Sequence, residues 1–311
     1  MTAIATAVAV GVDMAFGEPP VRWHPVVWFG NAMTRVEART YRERRNDRRT
    51  ARVAGVVHLA VGVGAAVVAG SIMRKLLGRN ASTVLAASVC MAGRMLDAEA
   101  RAVATLLDQH DLPAARQRLR SLAGRRADDL DEGEIARAVI ESVAENSVDA
   151  VVSSMVAAAV GGAAAVLGHR AVNTLDAMVG HRNERYEHFG WACARFDDAV
   201  NFLPARIAAL SVAACRPSRA GAVWRTVRSD ARKHPSPNGG VIEAAYAAAL
   251  GIRLGGVNRY GSVVEDRGTL GDGRLPVVAD IAAAVRLRRQ SSALLAVALF
   301  TVGLVRRCVR R

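Results

Sequence analysis

Cysteine is scarce in this sequence. Its four residues, Cys90, Cys193, Cys215 and Cys308, form no CxxC pair, which argues against a cysteine zinc site and against a secreted disulfide framework. Aromatic residues make up only 5% of the chain, too few for a nucleic-acid binder built on stacking platforms. Neither GxxxxGK[ST] nor GxGxxG occurs, so both common phosphate loops are missing. HExxH is absent too, and His181 and His188 lie seven apart without a third clear histidine; a histidine zinc site has little support. The first 16 residues are apolar apart from Asp13 and lack a basic n-region. A cleavable signal peptide fits them poorly, and an N-terminal membrane-embedded segment fits better.

What is present is segregated. The chain has 311 residues, enough for one large or two modest domains. It is 51% hydrophobic and 23% charged, two values compatible with a mean hydropathy of +0.16 because charge-rich blocks alternate with Ala/Val/Leu/Gly blocks. The net charge of +14 comes from 42 Lys and Arg against 28 Asp and Glu, nearly all of the bases being Arg. Such an excess suits either a nucleic-acid surface or basic flanks of membrane segments joined by phosphate-handling residues. The uncharged blocks favour the second, and no nucleic-acid partner is expected.

The clearest spanning segment is Val53 to Met73, 21 residues without formal charge when His58 is neutral. At about 1.5 Å per residue it matches a hydrocarbon layer of about 30 Å. Arg35 to Arg52 precedes it with eight Arg, two Glu and one Asp, a block that favours the cytoplasmic side. Ser147 to Gly168 is a second segment, with Asp149 near its start and small residues, Gly161 and Gly162 among them, that permit close helix contact. Ala199 to Cys215 is interrupted by Arg206, and Gln290 to Val305 runs into the basic tail RRCVRR. The expected fold is mainly α-helical: a polytopic integral membrane protein with about four or five membrane segments, in the cell membrane, read as a single domain over 1–311. Helical and loop-rich polar lobes are expected at about 74–146 and 216–289. In the first, Asp111 is placed to cap a helix beginning near Pro113. In the second, prolines and many glycines favour loops and short helices.

Four polar clusters carry the chemistry. In ESVAENSVDA, Glu141, Glu145 and Asp149 are spaced four apart, with Asn146 beside them. On a helix they share a slowly drifting face, and a metal ion or cationic partner would relieve their repulsion. RAVNTLDAMVGHRNERYEHFGW places Asn173, Asp176, His181, Asn183, Glu184 and His188 between apolar segments. Oxygen ligands for Mg²⁺ are the better reading there, because Mg²⁺ needs only one or two carboxylates when substrate phosphates complete its shell. Asp197 and Asp198 follow, just before Arg206, which is as well suited to a structural ion pair. Finally, WRTVRSDARKHPSPNGG offers Arg225, Arg228, Arg232 and Lys233, then a turn with His234 and Asn238. Arginine forks and backbone donors in such a turn suit phosphate or carboxylate.

At these motifs the sequence resembles the adenosylcobinamide-phosphate synthase family, the CobD/CbiB proteins of cobalamin biosynthesis. The similarity is carried by HPVVWFGN, AVIESVAENSVDAVV, RAVNTLDAMVG, RNERYEHFGWACARFDDAVNFLPARI and RSDARKHPSPNGGVIEAAYAAALGIRLGG. It departs at Ser153-Ser154-Met155, where the family often has a proline. The resemblance implies an ATP-dependent carbon–nitrogen ligase joining adenosylcobyric acid, a corrinoid, to (R)-1-amino-2-propanol O-phosphate, with ATP and Mg²⁺ required. It makes Glu141, Glu145, Asp176, Asp197 and Asp198 the catalytic candidates, with Glu145, Asp149 and Asp176 as candidate Mg²⁺ ligands. Asn146, Asn173, Arg206, Arg225, Arg228, Arg232, Lys233, His234 and Asn238 are candidates for substrate or phosphate. Expected partners are the corrinoid and aminopropanol phosphate substrates, the lipid bilayer and other cobalamin-assembly membrane proteins. The rival readings are a polytopic transporter, whose route Arg206 and the carboxylates would line, and a non-catalytic assembly subunit.

Overall fold

Uncharged Ala/Val/Gly runs can enter hydrocarbon only if their backbone polar groups pair internally, which a helix achieves within one segment. The computed structural model describes residues 2–41, 47–123, 127–181, 183–260 and 263–309. Positions 42–46 of the arginine block, 125–126 of the later Arg-rich run, Arg182, Gly261 and 310–311 of the tail lie outside the described residues. The helices are α1 Thr2–Phe16, α2 Pro25–Thr40, α3 Arg48–Cys90, α4 Gly93–Asp108, α5 Leu112–Leu119, α6 Glu132–Ser147, α7 Ser153–Val179, α8 Trp191–Cys215, α9 Ala220–Asp230, α10 Gly239–Leu250 and α11 Val278–Val309. A π-helical turn, Val148–Val152, joins α6 to α7. Strands β1 Leu254–Tyr260 and β2 Val263–Leu270 form an antiparallel hairpin between α10 and α11.

Local chemistry sets the helix starts. Asp47 accepts the Thr50 N–H at the head of α3, and Asp111 accepts that of Ala114 with Pro113 in the first turn of α5, as the sequence suggests. Asp131 and Glu134 form a reciprocal capping box at α6, satisfying two otherwise orphaned donors. At the end of α10, Gly251 turns into the left-handed region at φ 68°, which a side chain would resist.

Among the described residues four helical stretches are long and apolar enough to cross a membrane: Arg48–Asp108, Glu132–Val179, Trp191–Cys215 and Val278–Val309. Each contains one of the four segments expected from sequence. Val56, Val57, Val61, Val68 and Ile72 of α3 and Val297, Phe300, Val302 and Leu304 of α11 are exposed, an apolar surface suited to lipid. The protein is a mainly α-helical, multi-pass integral membrane protein.

The chain divides into two compact units. The first comprises 1–92, 153–201 and 296–311. Its main packing is α3 against α7, and glycine sets how close they come. A Cβ on Gly70 would lie 2.5 Å from Ala164 Cα, so the backbones meet where any larger residue would wedge them apart. Met33, Tyr41, Leu175 and Phe189 belong to a buried core cluster of this unit, with the Tyr41 and Phe189 rings stacked at 4.3 Å.

The second unit comprises 93–152 and 202–295. Here Asp97 of α4 takes a bidentate pair from Arg288 of α11, Nε–Oδ1 2.6 Å and Nη2–Oδ2 2.8 Å, and a further contact from Arg289. The polar lobe expected as loops and short helices also contains the β1–β2 hairpin. Its pairing is irregular between Gly255 and Val257, and such a broken alternation leaves little strand signal in sequence.

Candidate functional site

The buried polar centre of the second unit is assembled from four segments. Glu141 and Glu145 stand one turn apart on α6. Glu141, with no exposed surface, accepts the Gly255 N–H at 2.8 Å and lies 3.4 Å from Arg137 Nη1. Arg137 also donates to the Gly255 carbonyl, so this carboxylate clips β1 to α6. Glu145 accepts from Arg267 of β2, Nη2 to Oε1 at 3.0 Å.

The HPSPNGG turn supplies the third component. Ser236 Oγ accepts from the N–H groups of Asn238 at 3.3 Å and Gly239 at 3.1 Å, and the Gly240 N–H donates to Ser236 O at 3.2 Å. These donors, expected from sequence to hold phosphate, are bonded within the turn. Arg206 fastens it from outside, donating to Asn238 Oδ1 at 2.8 Å and to Pro237 O at 3.2 Å while its guanidinium lies over the Phe202 ring. The turn thereby seats His234 beside Gly239, where a Cβ would come within 2.9 Å of His234 Cε1 and 3.0 Å of Glu145 Oε1.

Glu243 of α10 completes the centre. His234 Nε2 lies 3.3 Å from Glu243 Oε1 and 4.0 Å from Glu145 Oε1, while Arg267 Nη1 lies 3.5 Å from Glu243 Oε1. The side chains of His234 and Glu243 have no exposed surface, whereas Glu145 retains 30%. Burial raises the Glu243 pKa, reinforced by the charge of Glu145. Burial alone would lower His234, but the contact with Glu243 outweighs it and the imidazole stands above its ordinary value. The group can therefore hold a proton among three side chains or accept a cation.

Other predicted residues are placed as follows. Asn146 donates back to Ser142 O at 2.9 Å within α6. Asp149 lies in the π turn, which interrupts the 3.6-residue spacing that would align it with Glu145. Arg225, Arg228, Arg232 and Lys233 are exposed on and just after α9; Arg228 covers Trp224 at 5.5 Å, and Lys233 pairs with Asp230 at 2.6 Å.

Asn173, Asp176 and Asp197 belong to the first unit, as does Asp198. Asp176 is an electrostatic neighbour of Asp197 and Asp198, so these three carboxylates do cluster. Asn201 links them to α7: its Nδ2 donates to Asp197 Oδ2 at 2.9 Å, and its Oδ1 accepts from Ser153 at 2.6 Å and meets His169 Nε2 at 2.9 Å. Asn173 Oδ1 accepts from Arg170 at 3.3 Å. Nearby in sequence to α1, Glu18 Oε2 lies 3.5 Å from His24 Nε2. Burial, partly opposed by Arg170 and assisted by Asp13, pushes Glu18 up to about 7, and burial with Arg170 lowers His24. His181, Asn183 and Glu184 are exposed; their segment is held to α2 by Arg185, which reaches Glu37 at 2.8 Å.

Glu243, Arg267 and Asn201 were not singled out by the sequence reading. Glu243 left one usable signal, a single carboxylate inside the apolar run VIEAAYAAAL. Arg267 left none.

Membrane-length helices and a largely buried His/Glu/Arg centre together define a multi-pass membrane protein with a chargeable polar site. A family description, CobD/Cbib protein, matches residues 6–288, and the chain belongs to that family. It is 46% identical over 294 residues to the cobalamin biosynthesis protein CobD of Mycobacterium tuberculosis, covering 92% of this chain and 91% of the relative. Against the proteins of the same description from Geobacter metallireducens and Rhodobacter capsulatus the identities are 42% over 282 residues, with 86% of each chain covered, and 39% over 295 residues, with 92% of each covered. No solved structure matches the chain.

Proposed function

We propose that this protein is an enzyme of cobalamin biosynthesis, a carbon–nitrogen ligase that joins adenosylcobyric acid to aminopropanol phosphate with ATP as co-substrate. Membership of the CobD/CbiB family supports the pathway, and the buried Glu145–His234–Glu243 centre is the observation that supports chemistry rather than passive binding. A carboxylate is a poor electrophile and an ammonium is not a nucleophile, so both reactants need activation. The corrin carboxylate takes the γ-phosphoryl group of ATP, giving an acyl phosphate and ADP. A base then removes a proton from the ammonium, the amine attacks the acyl carbon, and phosphate leaves as the amide forms.

Glu145, the most exposed member of the centre, is assigned the base, with His234 and Glu243 beside its Oε1 positioning the carboxylate. Mg²⁺, bound as the ATP complex, would supply charge neutralisation for the phosphates. The exposed Arg225, Arg228 and Arg232 are assigned to phosphate groups of ATP or aminopropanol phosphate, where guanidinium forks bind well. Asp176, Asp197 and Asp198 form a separate carboxylate group in the first unit, suited to a cation. Purified protein incubated with adenosylcobyric acid, aminopropanol phosphate, ATP and Mg²⁺ is expected to yield adenosylcobinamide phosphate, detected by mass. Vectorial corrinoid uptake by vesicles without that product would replace the ligase reading with a transporter.

A further inference from the structure

The centre of the second unit has a donor set unlike that of a Mg²⁺ site. Mg²⁺ prefers six oxygens and keeps several waters, yet two of the three donors here, His234 and Glu243, have no exposed side-chain surface and one offers imidazole nitrogen. Imidazole with carboxylate suits zinc, manganese and related ions. One donor atom from each of Glu145, His234 and Glu243 lies within 4.8 Å of the others. Metal–ligand bonds of about 2.1 Å set neighbouring ligands about 3.0–3.4 Å apart and opposite ones about 4.2 Å apart. The 3.3 Å and 4.0 Å separations from His234 Nε2 to Glu243 and Glu145 fall in that range.

Three further features bear on the site. Both Glu243 oxygens and His234 Nε2 are buried without a well-formed hydrogen bond, with only their mutual contact and the 3.5 Å approach of Arg267 to offset the burial, and a closely bound cation would satisfy the carboxylate better. The Ser236 N–H donates to His234 Nδ1 at 3.0 Å, which leaves the proton of the neutral imidazole on Nε2 facing Glu243, and a metal ion bound there takes that proton's place. Gly239 keeps open the space beside His234 and Glu145 that a Cβ would fill.

The geometry points to a site for one divalent transition-metal ion of the zinc or manganese class, ligated by Glu145 Oε1, His234 Nε2 and Glu243 Oε1. Arg267, against the same two carboxylate oxygens, is the cation this ion displaces. The inference concerns binding alone and does not need the ligase reading.

The test uses the full chain in detergent, stripped by chelator, desalted and titrated separately with Zn²⁺, Mn²⁺ and Mg²⁺, with bound metal per chain measured by plasma mass spectrometry. About one Zn²⁺ or Mn²⁺ per chain is expected, bound on the order of tenfold or more weakly in Glu243→Gln and His234→Ala. Arg267→Gln should bind the metal more tightly, because a competing charge is gone. Should the ligand variants fail to fold, X-ray absorption at the zinc edge of the wild-type protein decides: one imidazole among oxygen ligands supports the site. No Zn²⁺ or Mn²⁺ binding, affinity unchanged in both ligand variants, Mg²⁺ bound as tightly, or a zinc shell without imidazole would overturn it.

Discussion

Gly239→Ala disturbs the proposed centre by one methyl group. The new Cβ would lie 2.9 Å from His234 Cε1 and 3.0 Å from Glu145 Oε1. Ordinary carbon contact begins about 3.5 Å, so His234 must retreat by about half an ångström. A misplacement of about 1 Å can cost a reaction about 100-fold, and half of that corresponds to about tenfold, or about 1.4 kcal/mol of barrier. Stability should move less than turnover, because the new Cβ meets side-chain atoms of His234 and Glu145 and no backbone atom among its three nearest. The assay compares ligation turnover at saturating substrates with the melting midpoint in detergent. Gly64→Ala is the control, since a Cβ there meets nothing within 4 Å. Wild-type turnover in a normally folded Gly239→Ala protein would refute the assignment of chemistry to His234 and Glu145.

Asp97→Asn should destabilise the protein by about 3–5 kcal/mol in detergent melting, because it leaves Arg288, 2% exposed, without its carboxylate; the double variant D97L/R288M should recover much of that loss. Glu18 has a folded pKa of about 7, above its ordinary 4.5. Its contribution to stability is thus complete below about pH 4.5 and lost as pH rises through 7, so melting between pH 5 and 8 should fall less in Glu18→Gln than in wild type. Gly70→Leu should drive α3 from α7, where even a Cβ comes within 2.5 Å of Ala164 Cα. Loss of monodisperse protein on size-exclusion chromatography checks it.

The membrane segments were legible because charge is expensive in hydrocarbon, so its absence over Val53–Met73 and Ser147–Gly168 is a signal in itself. The Asp111 cap was legible because capping is local. The acidic spacing of Glu141 and Glu145 correctly placed both on one helix, but their separate tasks depend on partners far along the chain. Glu141 meets Gly255, 114 positions away, and Glu145 meets Arg267, 122 positions away. No local pattern encodes such meetings. The π turn at Asp149 escaped notice for a related reason: a single residue's change of register leaves apolar content unaltered. Arg206 read equally well as phosphate ligand or structural charge, and its bonds to Asn238 and Pro237 place it as the clamp of the HPSPNGG turn.

The proposed acyl phosphate can be followed by isotope. Adenosylcobyric acid labelled with ¹⁸O in its free carboxylate would be converted with aminopropanol phosphate and ATP, and the phosphate and nucleotide products analysed by mass. Acyl-phosphate activation predicts ADP as the nucleotide product and one ¹⁸O in each phosphate released, in step with amide formed. Label in AMP, or amide formed with no transfer of label, would contradict the account.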